Sequence, residues 1–258
     1  MFTRSAATRA VCLGILGLIG ALPSSAWARK FDMPNERFAT YFGGGYGVSN
    51  VSDHAFSMSS GAGVQTDQLV GSNYSGEIGV VLTSPRAQLR LGGEYLVAKA
   101  LEGVTGRAGT TPYFTMSSKI SALVPKASIE LPVWRRLESR ISLGGGAGMA
   151  SVSLEQSYAM TPAGSAALGV GDYIEKASAS VLMWNAYLIG EMLFVDTTTV
   201  ALEMGYRSLK VGSLTSQKAT TAITGNQDSG GTLLNGDGSA RAFDFGGAYV
   251  NLTFRFYL

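Results

Sequence analysis

Near the C-terminus the side chains alternate strictly: Val250, Leu252, Phe254, Phe256 and Leu258 fall on one face of an extended chain, and Tyr249, Asn251, Thr253, Arg255 and Tyr257 on the other. A period of two excludes a helix, and a wholly apolar face demands an apolar surrounding. The same division separates Leu89, Leu91, Tyr95 and Val97 from Gln88, Arg90 and Glu94, and Val200, Leu202, Met204 and Tyr206 from Glu203 and Arg207. Alternating segments fall near 38–49, 74–84, 87–99, 118–132, 139–152, 179–194, 198–211 and 242–258, and no amphipathic helix is evident after Lys30. The pattern predicts eight strands.

The connections between these segments alternate in length. They are short at Ser84-Pro85-Arg86, around Trp134 to Glu138 and at Asp196-Thr197, and long at 50–73, 100–117, 153–178 and 212–241. Short turns on one side and long loops on the other are the habit of transmembrane barrels, and an even strand count returns both ends of the sheet to the short-turn side. The expected fold is therefore all-β: an eight-stranded antiparallel up-and-down transmembrane β-barrel over residues 38–258, following a short periplasmic segment at 29–37.

Ahead of that segment, Arg4 and Arg9 precede an apolar run from Ala10 to Leu22, then Pro23 and the small-residue pattern Ala26-Trp27-Ala28. This is the order of a secretory signal, with cleavage expected after Ala28; the run is short of the roughly 20 residues a spanning helix needs. The lone cysteine, Cys12, lies within the signal, so the mature chain offers neither a disulfide nor a thiolate metal site. Loss of Arg4 and Arg9 lowers Lys+Arg from 20 to 18, matching 18 Asp+Glu, which argues against nucleic-acid binding.

The polar faces collect Glu77, Glu94, Glu130, Glu191 and Glu203 with Arg90, Lys126, Arg140, Arg207 and Arg255, acids and bases in balance. So narrow a barrel is filled by its own side chains, and charges inside it must pair because an isolated buried charge is costly. Gly43, Gly45, Gly47, Gly144, Gly146 and Gly148 share the polar parity and would leave room for long charged neighbours. FGGGYGVSNVS at 42–52 and LGGGAGMASVS at 143–153 are alike and suggest a shared four-strand unit. Tyr74, Tyr95, Trp184, Tyr206 and Tyr249 near the loop ends, and Trp134, Phe194, Phe254, Phe256 and Tyr257 near the turn ends, suggest two interfacial girdles.

With its YFGGGYG first strand, SLGGGAG fifth strand and terminal aromatic alternation, the sequence resembles the superfamily of small outer-membrane barrels typified by the OmpA transmembrane domain and the opacity-type surface proteins. The resemblance implies a monomer in the cell outer membrane of a Gram-negative bacterium, in contact with outer-membrane lipid. It implies a structural or surface-interaction role through long extracellular loops and an extracellular partner for them. It also implies a C-terminal signal, here Phe254, Phe256 and Leu258, read by the barrel-assembly machinery, although the family usually closes on Phe.

Chemistry is sparse. His54, beside Asp53 with Ser52 and Ser57 nearby, is the lone histidine; adjacent positions in one loop do not preorganise a nucleophile, so no catalytic residue, cofactor or metal is expected. A narrow small-solute channel, a lipid-modifying enzyme and a soluble periplasmic barrel are the rival readings. Residues 157–171 (Tyr158, Met160, Leu168, Val170) are apolar enough to fold over the barrel mouth or meet a partner, whereas 225–240 (GNQDSGGTLLNGDGSA) read as flexible turn-formers.

Overall fold

The computed structural model describes residues 31–51, 65–66, 70–99, 101–235 and 238–258. The signal segment 1–28 and His54 with Ser52, Asp53 and Ser57 lie outside the described residues.

Eight strands build the barrel: β1 (Phe38–Val51), β2 (Val70–Thr83), β3 (Gln88–Ala98), β4 (Thr111–Arg135), β5 (Ser139–Met160), β6 (Tyr173–Val195), β7 (Thr198–Ser208) and β8 (Gly247–Tyr257). Each pairs antiparallel with its neighbour in sequence. β8 returns to β1 in a register running from Ala39 opposite Tyr257 to Gly47 opposite Tyr249, and the ring closes. Closure leaves the barrel strands no unpaired edge, which spanning strands require because hydrocarbon offers backbone groups no partner.

The short turns are well anchored. The Ser84 hydroxyl accepts from the Ala87 amide at 3.1 Å, and Asp196 takes a left-handed φ of 48° to complete the tightest reversal. At this end Met33 is buried, its amide donating to the Leu137 carbonyl at 3.1 Å. With Pro132, Arg135 and Arg140 it lines a small cavity there.

The strands are unequal. β1 and β2 have 14 residues and β3, β7 and β8 have 11, but β4, β5 and β6 have 25, 22 and 23. About 9–11 residues suffice to cross the hydrocarbon at a tilt, so the three long strands continue past it on the long-loop side as a projecting wall. The expected segments 118–132, 139–152 and 179–194 therefore stop too early: each long strand extends further at its loop end.

The reason lies in the side chains. On the outward face of β4, Leu123, Ala127, Ile129, Leu131 and Val133 give way to Ser121, Lys119, Ser117 and Thr115. On β5 the change falls between Met149 and Ser151, and on β6 between Leu182 and Ser180. These positions lie side by side, with Leu123 opposite Ser151, Ser151 opposite Ser180 and Met149 opposite Leu182. The inner face changes in the opposite sense at the same level: Glu130 and Lys126 are followed by Val124, Ala122, Ile120, Met116 and Phe114, all buried. Alternation continues without a break while its meaning inverts, because the strand leaves hydrocarbon for water.

Candidate functional site

All ten charged residues singled out in the sequence project into the lumen, each no more than 7% exposed. They form one connected network. Arg207 reaches Glu94 at 2.5 Å; Lys126 bridges Glu94 at 2.9 Å and Glu77 at 2.8 Å. Glu77 accepts two bonds from Arg90, at 3.1 and 2.5 Å, and Arg90 also reaches Glu203 at 2.5 Å and lies 3.6 Å from Glu130. Arg255 joins Glu130 at 2.7 Å to Glu191 at 3.0 Å, and Glu191 pairs with Arg140.

Topology carries this network across the lumen. β3 faces β7 across the eight-membered ring, and β4 faces β8. The Arg90–Glu203, Arg207–Glu94 and Arg255–Glu130 pairs therefore span the full width of the lumen.

Several uncharged groups complete the network. The hydroxyls of Tyr41 and Tyr249 donate to Glu77 at 2.6 Å and Glu203 at 2.7 Å. Tyr257 and Thr199 donate to Glu191 at 2.8 and 2.5 Å, and Arg255 donates to Gln88 at 3.3 Å. Arg90 sits between two rings, 4.8 Å from the centre of Tyr41 and 5.8 Å from that of Tyr187. Tyr249 and Tyr257, expected in the girdles, thus belong to the interior: they share the parity of Arg255, and parity on a strand decides the face. Tyr41, Tyr187, Gln88 and Thr199, none of them singled out above as a member of the network, are buried in the same interior, and parity is the signal that could have found them. The outer loop-end ring instead holds Tyr46, Tyr74, Tyr95, Trp184 and Tyr206.

The interior glycines make room chiefly for other partners than long charges. A Cβ on Gly144 would meet the Tyr187 ring at 2.3 Å, and one on Gly45 the Asn251 side chain at 1.6 Å; a Cβ on Gly148 would meet the Pro125 carbonyl at 2.4 Å and the Lys126 Cβ at 2.9 Å.

Above the charged layer the lumen-facing surface of the wall is apolar. Leu96, Phe114, Met116, Ile120, Val152, Leu154 and Met183 are buried in one cluster with Leu214, Leu233, Phe243 and Phe245 of the last loop. The stretch 225–240, expected to be flexible, is therefore docked at its centre: Leu233 is fully buried, and its amide bonds the Leu214 carbonyl at 2.8 Å. Of 157–171, residues 157–160 continue β5 and Tyr158 faces inward. The chain then forms the short helix α1 (Pro162–Leu168), capped by Thr161 and packed on Tyr113 through Gly164. The last loop, not this one, covers the inner face of the wall.

A second polar cluster fixes that cover. Buried Arg241 donates to Glu175 at 2.6 Å and to Gln156 at 2.7 Å, and Gln227 donates to Glu175 at 3.2 Å. Burial alone lowers the Arg241 pKa, but the Glu175 carboxylate and the Tyr158 hydroxyl raise it more, so the guanidinium stays charged. Among the described residues no group of three or more His, Cys, Asp or Glu is placed to hold a metal ion.

No family model matches the sequence and no curated protein does. Among solved structures, Ail, the attachment invasion locus protein of Yersinia pestis, is similar over 86% of this chain and 99% of its own at 9% identity and a TM-score of 0.43. A major outer membrane protein from Thermus thermophilus is similar over 85% of this chain and 99% of its own, at 10% identity and a TM-score of 0.47. The outer membrane protease OmpT from Escherichia coli is similar over 89% of this chain and 99% of its own, at 8% identity and a TM-score of 0.44. The closed ring, the apolar outer belt, the charge-filled interior and the unequal ends give this chain the architecture of a small β-barrel of the outer-membrane type.

Proposed function

We propose that the barrel is a non-conducting scaffold with a structural or surface-interaction role, presenting the projecting wall and its loops outside the cell, and that it performs no catalysis. The observation that carries this reading is the lumen: paired charges bridge opposite walls through its width, and the last loop lies over the wall above them. A narrow solute channel would need those pairs to part, at the cost of leaving charges buried and alone. The exposed tip, with Ala163, Ala166 and Ala167 on α1 beside the Ser- and Thr-bearing outer face of the wall, is the surface such a scaffold offers an extracellular partner.

The outward row of Phe254 and Phe256 on β8, with Leu258 just after it, serves, on this reading, as the signal that the barrel-assembly machinery recognises. Phe254 and Phe256 lie 5.6 and 5.8 Å from the Phe42 ring across the β8–β1 seam, the last contact to form when the ring closes in chain order.

Single-channel recording of the full mature chain in planar bilayers tests the sealed lumen: silence is expected, and steady unitary conductance overturns it. An epitope inserted after Ala166 tests the display. Antibody binding to intact cells is expected, and binding only after permeabilisation overturns the outward orientation.

A further inference from the structure

Just above the hydrocarbon boundary, one outward row of the wall carries more cations than anions. Lys119 of β4 stands opposite Glu155 of β5, and Glu155 opposite Lys176 of β6. β3 adds a fourth member. Lys99 follows Tyr95 and Val97 on the outward parity, is exposed, and falls beside Lys119 between the paired positions Val97–Ser121 and Leu101–Ser118. Lys176 pairs with Glu155 at 3.0 Å, whereas Lys99 and Lys119 form no ion pair among the described residues, and like charges side by side on neighbouring strands repel. At its ends the row meets Ser72, whose carbonyl accepts from the Lys99 amide at 3.0 Å, and Gln217, whose amide donates to the Lys176 carbonyl at 2.7 Å, so no acid flanks it.

The level of the row identifies its surroundings. On β4 the boundary lies between Leu123 and Ser121. Three residues of strand, at about 3.4 Å each and a tilt of about 40°, raise Lys119 about 8 Å above it. The headgroup layer next to the hydrocarbon is about 5–8 Å deep, and lysine stems are long enough to return their ammonium groups into it. Between the row and the belt, Ser121, Ser151, Ser153, Ser178 and Ser180 present hydroxyls outward.

We propose that this face of the wall binds the phosphorylated sugar headgroup of an outer-leaflet glycolipid, with Lys99 and Lys119 as the phosphate-binding pair and the serine rows against the sugar. Lysine is a compact point charge that takes phosphate without a fixed angle. A phosphate between the two ammonium groups replaces their repulsion with attraction, which salt only screens. Glu155, already held by Lys176, bounds the site on its other side. The occupied face is low on the wall, so α1 and the tip stay free for the extracellular contact proposed above. The site rests on the outward orientation of that reading, which the intact-cell epitope decides separately, and it is independent of whether the lumen conducts.

The test uses the full mature chain in phosphatidylcholine nanodiscs, either plain, or containing bisphosphorylated lipid A, or containing the same lipid dephosphorylated. Each is treated briefly with acetic anhydride, and modification of every lysine is read by mass spectrometry against exposed Lys218 of the last loop. The bisphosphorylated lipid is expected to slow modification of Lys99 and Lys119 severalfold relative to Lys218, and the dephosphorylated lipid to leave them as in plain discs. Equal protection by the two lipids overturns phosphate recognition; equal protection by inorganic phosphate added to plain discs overturns the lipid as its source. After extraction into mild detergent, the Lys99→Gln/Lys119→Gln double variant is expected to retain severalfold less bisphosphorylated lipid than wild type by native mass spectrometry. Lys210→Gln/Lys218→Gln, which removes the same charge from exposed positions of the last loop, is expected to retain as much as wild type. Unchanged retention in the first double variant, or an equal loss in the second, overturns the site.

Discussion

Arg255 shows what a charged side chain does in this lumen. It is fully buried, joins two carboxylates and sits opposite the wall that supplies Glu130. Replacing it with Met leaves Glu130 without its strongest partner and Glu191 with Arg140 as its one remaining cation. A loss of about 3–5 kcal/mol is expected, the range for orphaning a buried charge, read as a lower urea midpoint for unfolding from lipid vesicles. Tyr257→Phe removes a neutral donor to Glu191 and an acceptor for Arg140 while orphaning no charge, and is expected to cost about 1–2 kcal/mol in the same assay. Equal losses in the two variants would show that the network is not where the stability lies. Gly92 tests the opposite requirement, for empty space: an added Cβ would lie 2.1 Å from the Tyr41 hydroxyl and 2.7 Å from the Ile78 carbonyl. Gly92→Ala is expected to destabilise by about 1–3 kcal/mol through overpacking, with Tyr41→Phe in the same chain recovering part of it. The charged members of the network were legible in the sequence because charge on an alternating strand stands out. Its tyrosines were not, since tyrosine is equally at home in an interfacial girdle and only parity separates the two roles.

At the scale of the strand, the inversion of faces explains both what could be read and what could not. Within the hydrocarbon, apolar residues point out and charges in, and there the alternation gave the eight strands and their order. Past Leu123, Met149 and Leu182 the polar residues point out and the apolar ones in, as in a sheet surrounded by water. Ile120, Met116 and Leu154 keep the spacing but change its significance, so a single rule for the outside breaks the strands off too early and leaves Tyr158 and Met160 resembling an apolar loop. The outward face of β6 should therefore respond to charge in two ways along its length. Leu188→Arg, in the middle of the belt, is expected to cost about 2–4 kcal/mol of stability in the bilayer. Ser178→Arg, in the projecting wall next to the exposed Glu155–Lys176 pair, is expected to stay within about 0.5 kcal/mol of wild type. Similar penalties at both sites would place the wall inside the membrane and move the boundary drawn at Ser180.

In the sealed scaffold proposed above, the lumen is closed twice at the scale of the whole molecule, by different physics: a layer of paired charges within the membrane and an apolar cover above it. The first could be inferred from the charges on the polar faces of the alternating strands; the second depends on how the last loop folds back, which turn-rich sequence does not announce. Two closures in series have a consequence that either alone does not. Shortening the last loop by deleting 213–245 removes the cover but leaves opposite walls joined through Arg90–Glu203, Arg207–Glu94 and Arg255–Glu130, so no conductance is expected. Replacing those six residues with serine removes both members of each pair and so orphans no partner within a pair, although Glu77, Lys126 and Glu191 each lose one contact. With the cover in place this variant too is expected to be silent in planar bilayers. Only the two changes together leave a continuous polar path from one mouth to the other, and only that protein is expected to show steady current. Conductance from the loop deletion alone would mean that the charged layer is already open to water and ions, and that the loop by itself keeps the barrel shut.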